Sequence, residues 1–265
     1  MAGLIYARLL FEGPYETQSQ KEQFRQVSQE WHRFLGFQSA TDGLGFWVGR
    51  KRKRSHWEEV NREMQQLRQK QMRHANTQAR LEVLLGAGSQ FRGKQKPAID
   101  AIMQGHSPVM VIMGTGGGKS MMFMLPASSV SGGTTVVIVP LVALQGDLQE
   151  RCEKARISSL VWSSQRPYDS ASIIFVTPES AVSKTFAGFI NRLQDMHQLD
   201  RIVIDECHTI LDGSPGFRPK LRRLGELVLI GAQMVYLTAT LPPREEEEFY
   251  QLMHIDRQEL QLFRG

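Results

Sequence analysis

The amino-acid sequence predicts an α/β fold in which a central, mostly parallel β-sheet follows a basic helical extension. Two patterns predict it. From Gln90 onward, short β-branched runs alternate with segments of helical spacing, which is typical of strand–helix–strand units with helices on both faces of the sheet. Before Gln90, the chain is polar and rich in Gln, Arg and Lys, and its apolar residues recur at helical intervals.

Short apolar runs separated by helical segments define the sheet. The predicted strands are Val109–Met113, Thr135–Val139, Leu160–Trp162, Ile173–Val176, Ile202–Asp205 and Met234–Leu237. The predicted helices cover residues 93–104, 119–125, 141–154, 180–198, 218–228 and 243–253. Right-handed crossovers between parallel strands bring the carboxyl ends of the strands, and with them any ligand site, to one edge of the sheet.

The change in pattern divides the chain into three regions. Residues 1–49 are predicted to be a weakly structured leader, residues 50–88 a basic helical connector, and residues 89–265 the α/β domain. Within the connector, a single helix is predicted over residues 56–85, with Ser55 as its N-cap and Glu58 reaching back to it.

Composition narrows the class of protein. The 265 residues are 41% hydrophobic and 22% charged, values typical of globular proteins rather than of disordered or coiled-coil chains. No apolar run approaches the roughly 18 residues that a membrane span needs, so no membrane partner is expected. Cys152 and Cys207 cannot by themselves make a disulfide framework or a zinc site, which favours a reducing intracellular compartment.

Positive charge is concentrated in one stretch. Residues 50–96 contain thirteen Lys or Arg and four Asp or Glu, an excess of nine in a chain whose net charge is +5. Five consecutive bases, Arg50–Arg54, concentrate it further. Because contacts to phosphate are largely Coulombic, the stretch indicates a polyanion partner or a nuclear import signal; a solvated charge run without a partner is the alternative.

A phosphate-binding loop is predicted where the first strand meets the next helix. It reads Met113-Gly114-Thr115-Gly116-Gly117-Gly118-Lys119-Ser120. Glycines let successive backbone N–H groups point at phosphate oxygens, and the helix N-terminus adds its positive end. We expect Lys119 to neutralise the β- and γ-phosphates and the Ser120 hydroxyl to bind Mg²⁺. Met113 stands where the strict pattern has glycine, so the loop is a variant.

An acidic pair follows a later apolar strand. Asp205 and Glu206 come directly after Arg201-Ile202-Val203-Ile204. A carboxylate at a strand end beside a phosphate loop suits Mg²⁺, so Asp205 is expected to hold the metal and Glu206 to polarise the attacking water. Taken alone, such a pair is commonly just the start of a helix.

Six short motifs occur in order along the chain. They are Phe91-Arg92-x-x-Gln95, Gly116-Gly117-Gly118-Lys119-Ser120, Pro140-Leu141-x-x-Leu144-Gln145-x-Asp147, Thr177-Pro178-Glu179, Asp205-Glu206-Cys207-His208 and Thr238-Ala239-Thr240. Over about residues 89–253 this order resembles the first RecA-like, ATP-binding lobe of a RecQ-type superfamily 2 DNA helicase. The loop and its leader also resemble RecQ-like helicase fragments of fungal genomes. The resemblance implies a P-loop NTPase fold, ATP and Mg²⁺, single-stranded or junction DNA bound without sequence preference, and 3′→5′ movement. The basic run Arg50–Arg54 predicts a nuclear location.

The resemblance also implies a role for each motif. Nucleotide binding is expected at Arg92, Gln95, Thr115, Gly116, Gly117, Gly118, Lys119 and Ser120, with Arg92 and Gln95 recognising adenine. Catalysis is expected at Lys119, Asp205, Glu206 and His208, and metal binding at Ser120 and Asp205. His208, with Thr238, Ala239 and Thr240, would couple hydrolysis to movement. Nucleic acid would be contacted by Pro140, Leu141, Thr177, Pro178, Phe217 and Arg218.

Three departures from the family pattern qualify these expectations. The segment Thr209–Gly216 lacks the tryptophan usual in the loop that senses DNA, and the acidic motif has Cys207 where alanine is usual. The sequence stops soon after Thr240, so we expect lobe 2 to be absent and unwinding to need a second RecA-like lobe. A catalytically inactive nucleotide- or DNA-binding fragment and an RNA helicase lobe therefore stay open as alternatives.

Overall fold

The computed structural model describes residues 45–140, 142–166, 169–212 and 223–265. The chain divides into two compact units, one of residues 1–63 and 168–170 and the other of residues 64–167 and 171–265. The second unit contains the β-sheet. None of the helices in the described ranges is both long enough and apolar enough to cross a membrane.

Seven strands form one sheet in which every pairing is parallel. The strands are β1 (Val109–Ile112), β2 (Thr134–Ile138), β3 (Ser159–Val161), β4 (Ile173–Val176), β5 (Leu199–Ile204), β6 (Gln233–Thr238) and β7 (Gln261–Arg264). Their order across the sheet is β3-β4-β2-β5-β6-β1-β7. The predicted α/β fold with a central parallel sheet is confirmed.

Helices connect the strands and cover the sheet. They are α1 (Gly45–His74), α2 (Thr77–Leu85), α3 (Gln95–Gln104), α4 (Met121–Ser129), α5 (Val142–Lys154), α6 (Pro178–Ala181), α7 (Lys184–Asp195), α8 (Thr209–Asp212) and α9 (Pro243–Leu252). A 3-10 helix, Arg223–Ile230, precedes β6.

Strand residues alternate between two hydrophobic clusters, one on each face of the sheet. In β1, Met110 and Ile112 belong to one cluster, whereas Val109 and Val111 belong to the other. All four are buried. Burial on both faces explains why the strands read as continuous apolar runs instead of alternating with polar residues.

The connector differs from its prediction at both ends of the expected helix. Helix α1 begins at Gly45, so Ser55 lies inside a helix and its prediction as an N-cap is wrong. Arg and Lys are good helix formers, so the basic run continues the helix toward the N-terminus. Asn76 ends the expected single helix, because its side chain accepts a 3.0 Å hydrogen bond from Ala79 N and caps α2.

Two other elements differ from the predicted pattern. The helix expected over residues 180–198 is divided at Ser183, whose hydroxyl accepts from Phe186 N and caps α7. The seventh strand, β7, was not predicted, because Gln261–Arg264 is short and largely exposed at the edge of the sheet. Pairing with β1 makes it a strand.

Candidate functional site

Five of the predicted motifs meet at the carboxyl edge of the sheet. The phosphate loop follows β1, Thr238–Thr240 ends β6, and Asp205 follows β5. Pro140 comes after β2, and Thr177 after β4. Because β1, β6, β5, β2 and β4 are successive neighbours, the motifs line up along this edge in an order different from their order in the sequence.

The phosphate loop has the backbone conformation that its glycines predict. Gly116 and Gly118 have φ of +80° and +78°, a region that favours glycine. At Gly118 an added Cβ would collide with the side chain of Gln95, and at Gly117 it would lie 2.9 Å from Gly114 O. Met113, at the variant position, has a buried side chain. A Cβ added at Gly117 would lie 3.3 Å from the Met113 Cβ, so these two residues pack closely.

Gln95 connects the first motif to the phosphate loop. Its Nε2 donates to Gly117 O at 2.8 Å, and its Oε1 accepts from Arg92 N at 2.8 Å. The side chain is buried, whereas Arg92 is exposed. The amide therefore links residues 92 and 117, and both of its ends are occupied in this conformation.

Lys119 and Glu206 form the centre of the site. Lys119 Nζ lies 3.2 Å from Glu206 Oε1 and donates to Met113 O at 3.2 Å. Both side chains are partly shielded from solvent, at 11% and 26% exposure, so the pair is screened less than a surface pair. A phosphate bound to Lys119 would have to replace the contacts of Lys119 with Glu206 and Met113 O. The Glu206 carboxylate would then be available for another contact.

Asp205 has the character of a cation ligand. Its Oδ1 accepts from Glu206 N at 3.0 Å. Burial raises the pKa of Asp205 to about 6, and the neighbouring Glu206 carboxylate contributes to the rise. The hydrogen bond from Glu206 N–H and the charge of Lys119 favour the ionised carboxylate and oppose this rise. A buried carboxylate beside a second carboxylate is favourable for a divalent cation, so Asp205, with the Ser120 hydroxyl at the start of α4, fits Mg²⁺.

No cluster of three or more His, Cys, Asp or Glu side chains able to hold a metal occurs in the described ranges. Mg²⁺ bound with a nucleotide does not require one, because one or two protein oxygens, substrate phosphates and water complete its shell.

Glu206 and His208 are joined to the end of β6. Glu206 Oε2 accepts from Ala239 N at 3.3 Å and lies 3.5 Å from His208 Nδ1. His208 Nδ1 lies 2.8 Å from Thr238 Oγ1, which donates its own proton to Thr240 O at 2.8 Å. Since the single hydroxyl proton of Thr238 is used there, we assign a proton to His208 Nδ1. The network joins the acidic motif directly to Thr238–Thr240.

The acidic motif is held in an unusual backbone conformation. Glu206 has φ of +46°, which is uncommon for a residue with a Cβ. Asp205 N donates to Ile138 O and Cys207 N to Leu237 O, so β2 and β6 hold the turn from both sides. Cys207 is fully buried in the apolar core, and burial raises the pKa of its thiol well above its ordinary value. It therefore lacks the exposed thiolate that a nucleophile or metal ligand needs.

The predicted nucleic-acid residues are only partly described. Pro140 and Thr177 lie at the ends of β2 and β4, and Pro178 begins α6, where Thr177 Oγ1 caps the turn by accepting from Ser180 N. Leu141, Phe217 and Arg218 lie outside the described residues.

One residue of the third motif has a feature that sequence reasoning did not use. Gln145 is buried, and its Nε2 has no hydrogen-bond partner among the described residues. A buried amide without a partner is unfavourable, so it is a position where a bound group could add a contact. Its place in the Pro140–Asp147 motif was the available signal.

Comparison with protein families finds a DEAD/DEAH box helicase match over residues 92–249. ATP-dependent DNA helicase Q5 of Rattus norvegicus is 32% identical over 199 residues, covering 69% of this chain and 20% of that protein. ATP-dependent DNA helicase RecQ of Bacillus subtilis is 30% identical over 184 residues, covering 63% and 30%. The hus2/rqh1 ATP-dependent DNA helicase of Schizosaccharomyces pombe is 34% identical over 170 residues, covering 57% and 13%.

Solved structures agree on the fold. The DUF1998 helicase MrfA, crystallised bound to DNA, matches with a TM-score of 0.55 at 18% identity, over 70% of this chain and 27% of that one. The chain spans a fifth of the length of helicase Q5. The family match covers more than half of this chain and includes the residues that form the carboxyl-edge network. The chain therefore belongs to the DEAD/DEAH box helicase family, and its sheet domain is similar in sequence to part of the RecQ-type DNA helicases named above.

Proposed function

We propose that this chain binds ATP with Mg²⁺ and hydrolyses ATP in a reaction stimulated by DNA. One observation carries the proposal: Lys119, Glu206, His208 and Thr238 form a continuous polar network across three neighbouring strand ends. Phosphoryl transfer to water requires a positive group at the phosphates and a base that orients the water, and Lys119 and Glu206 are of these types. His208 and Thr238 would couple the reaction to movement.

Each residue of the network has a distinct task. Lys119 and the backbone N–H groups of Thr115–Ser120 hold the phosphates, while Ser120 and Asp205 hold Mg²⁺, which supplies positive charge to the phosphate oxygens. Glu206, released from Lys119, orients and deprotonates the attacking water. The fixed dipoles and charges of the network favour the charge that develops on the γ-phosphate.

The contacts of Glu206 also suggest how hydrolysis at the phosphate loop is coupled to DNA binding. Glu206 contacts Ala239 N and His208, and His208 contacts Thr238. A change at Glu206 on hydrolysis alters what His208 and Thr238–Thr240 contact. We propose that DNA binds farther along the same edge, at Pro140, Thr177 and Pro178. We propose that Leu141, Phe217 and Arg218, which lie outside the described residues, contact it as well.

The remaining parts of the function follow from the resemblance and the charge. We propose 3′→5′ movement and a requirement for a second RecA-like lobe, because a transition-state arginine in related enzymes is supplied from outside the phosphate loop and contributes about 10³-fold or more. Arg50–Arg54 is compatible with nuclear import, and we propose a nuclear location.

The experiment measures nucleotide binding and hydrolysis by the whole chain, with and without single-stranded DNA. Lys119→Ala should lower ATP·Mg²⁺ affinity by at least about 100-fold, and hydrolysis with it, because a charge at the phosphates is lost. Lys154→Ala, an exposed lysine on α5, is the matched control and should leave both unchanged. Equal nucleotide affinity in wild type and Lys119→Ala would refute the proposal.

Adenine recognition by Gln95 has its own test. The amide offers one donor and one acceptor to the base, which matches the exchangeable edge of adenine better than that of guanine. Its Nε2 and Oε1 already contact Gly117 O and Arg92 N, so a base would use the second N–H and the second lone pair or replace one of these hydrogen bonds. Gln95→Ala should reduce the ratio of ATP to GTP affinity by a few-fold, and an unchanged ratio would assign Gln95 to loop support alone.

A further inference from the structure

A cavity of about 390 Å³ opens at the amino edge of the sheet, opposite the phosphate loop. The starts of β5 and β6 and the approach to β1 form its inner part. The C-terminal part of α1 and the segment between α9 and β7 form the outer part of the cavity. All of its lining residues belong to the same compact unit.

The buried part of the lining, the floor of the cavity, is mostly apolar, and the buried Arg201 guanidinium also lines it and donates to the Met72 sulfur. Three buried methionines, Met72, Met103 and Met234, line it together with Ile102 and Ile255. Methionine side chains are flexible and polarisable, so they accommodate aromatic and aliphatic groups of different shape. The volume lies in the lower part of the range of ligand pockets, which suits one large side chain and its neighbour.

The rim of the cavity is polar and carries charge without ion-pair partners. Asp256 and Glu259, three residues apart before β7, are exposed and have no ion-pair partner in the described part of the chain. Arg73 and the amides of Gln65 and Gln69 line the side formed by α1. The carboxylates suit a basic side chain, and Arg73 with the two amides suits backbone carbonyl groups.

Tyr236 lies on the inner wall. Its hydroxyl is buried without a hydrogen-bond partner among the described residues.

We propose that this cavity is a docking site for a short peptide segment of a partner protein, with a large apolar side chain next to a basic one. The apolar side chain enters the methionine-lined floor, and the basic side chain lies between Asp256 and Glu259. An aromatic anchor in a pocket with charged contacts at the rim is the usual arrangement of a binding hot spot. Because the cavity is at the amino edge, its occupant leaves the phosphate loop accessible, so the site is independent of whether the chain hydrolyses ATP.

The probes are the blocked dipeptides N-acetyl-Trp-Arg-amide, N-acetyl-Trp-Glu-amide and N-acetyl-Gly-Arg-amide, added to the whole chain carrying ¹³C-methyl methionine. The Trp-Arg peptide should shift the NMR signals of Met72, Met103 and Met234. The Trp-Glu peptide should bind about two- to fivefold more weakly, as expected for loss of exposed charge contacts. The Gly-Arg peptide should bind at least about tenfold more weakly, because it lacks the anchor.

Two adjacent residues provide a matched pair of variants. Val228 lines the cavity, whereas Leu229 is 84% exposed and does not line it. Val228→Trp should fill the cavity and abolish the shifts, and Leu229→Trp should leave them unchanged. The surface variant Asp256→Asn with Glu259→Gln should bind the Trp-Arg and Trp-Glu peptides equally, which tests the rim even if Val228→Trp fails to fold.

Three results would overturn the proposal. One is the absence of shifts at all three methionines, and another is equal binding of the Trp-Arg and Trp-Glu peptides by the wild type. The third is self-association that Val228→Trp removes and Leu229→Trp does not, measured by sedimentation, because the occupant would then be a second copy of this chain.

Discussion

The two edges of the sheet use buried polar groups in opposite ways. At the carboxyl edge, Glu206 has a positive φ and Asp205 has a raised pKa, so the folded chain carries unfavourable features beside the phosphate loop. At the amino edge, Arg68 donates to Asp200 Oδ1 at 2.8 Å and to His197 O at 2.7 Å, which ties α1 to the start of β5.

Arg201 extends the contacts at the amino edge. It is fully buried and donates to Gln233 Oε1, Thr135 Oγ1 and the Met72 sulfur. Burial lowers the pKa of the Arg201 guanidinium, while Asp200 opposes that shift. A positive φ occurs at both edges, because His197 before β5 has φ of +53°. The difference between the edges therefore lies in their charges: the carboxyl edge places two carboxylates side by side, whereas the buried guanidinium groups of the amino edge are hydrogen-bonded and position α1.

The largest expected effect is at the carboxyl edge. Glu206→Gln removes the proposed base and the partner of Lys119 but keeps an oxygen that can accept from Ala239 N. Hydrolysis should fall by about 10²- to 10⁴-fold, while ATP·Mg²⁺ affinity stays equal or rises, because Lys119 is no longer held by a carboxylate. Single-turnover hydrolysis and nucleotide titration measure the two effects. Loss of affinity in parallel with rate would show that Glu206 organises the loop instead.

The next effect should occur at the amino edge and concern stability alone. Arg68→Met removes the hydrogen-bonded partner of the partly buried Asp200, so the free energy of unfolding should fall by about 2–4 kcal/mol. Lys96→Met, which removes an exposed pair with Asp100, is the control and should change it by less than about 0.5 kcal/mol. Denaturant titration measures both. A fall in the rate of hydrolysis per folded molecule in Arg68→Met would contradict the separation of the two edges.

Asp205→Asn should reveal the unfavourable character of the carboxyl edge. The folded-state pKa of about 6 lies above the ordinary value of 3.8, so at pH 7 ionised Asp205 destabilises the fold. The asparagine variant keeps the acceptor for Glu206 N and should be more stable by up to about 3 kcal/mol at pH 7.

The sign of this effect can be checked by pH. The advantage of Asp205→Asn should shrink as the pH falls from about 6 toward 4, because wild-type Asp205 then takes up its proton in the folded state. Thermal unfolding without nucleotide or Mg²⁺, from pH 7.5 to 4, measures it. A variant less stable than wild type at pH 7 would mean that contacts of the carboxylate outweigh its desolvation.

The smallest effect is expected from the basic run Arg50–Arg54, which in the sequence is distant from the proposed catalytic residues and from the strands of the core. Changing all five of Arg50–Arg54 to Ala should lower affinity for unrelated single strands about equally and flatten the log–log salt slope by about 0.7 per lost phosphate contact. Changing Arg50, Arg52 and Arg54 to Lys keeps the charge and should preserve the slope. An unchanged slope in the Ala variant would favour nuclear import as the role of this run.

Much of the geometry of the candidate site could be predicted from the sequence because it depends on local patterns. Gly116 and Gly118 lie where the backbone needs positive φ, and Asp205 and Glu206 directly follow a buried strand. Their spacing reflects a turn that a few adjacent residues determine. The alternation of apolar runs and helices likewise predicted six of the seven strands.

Other features depend on residues far apart in the chain, and only the tertiary structure decided them. Local sequence does not specify that Arg68 meets Asp200, that Gln95 meets Gly117, or that the starts of β5 and β6 form the wall of a cavity. The same is true of β7, which is a strand through its pairing with β1. The physical reason is that local propensity reports on neighbours in the chain, whereas burial, ion pairing and strand pairing are set by neighbours in space.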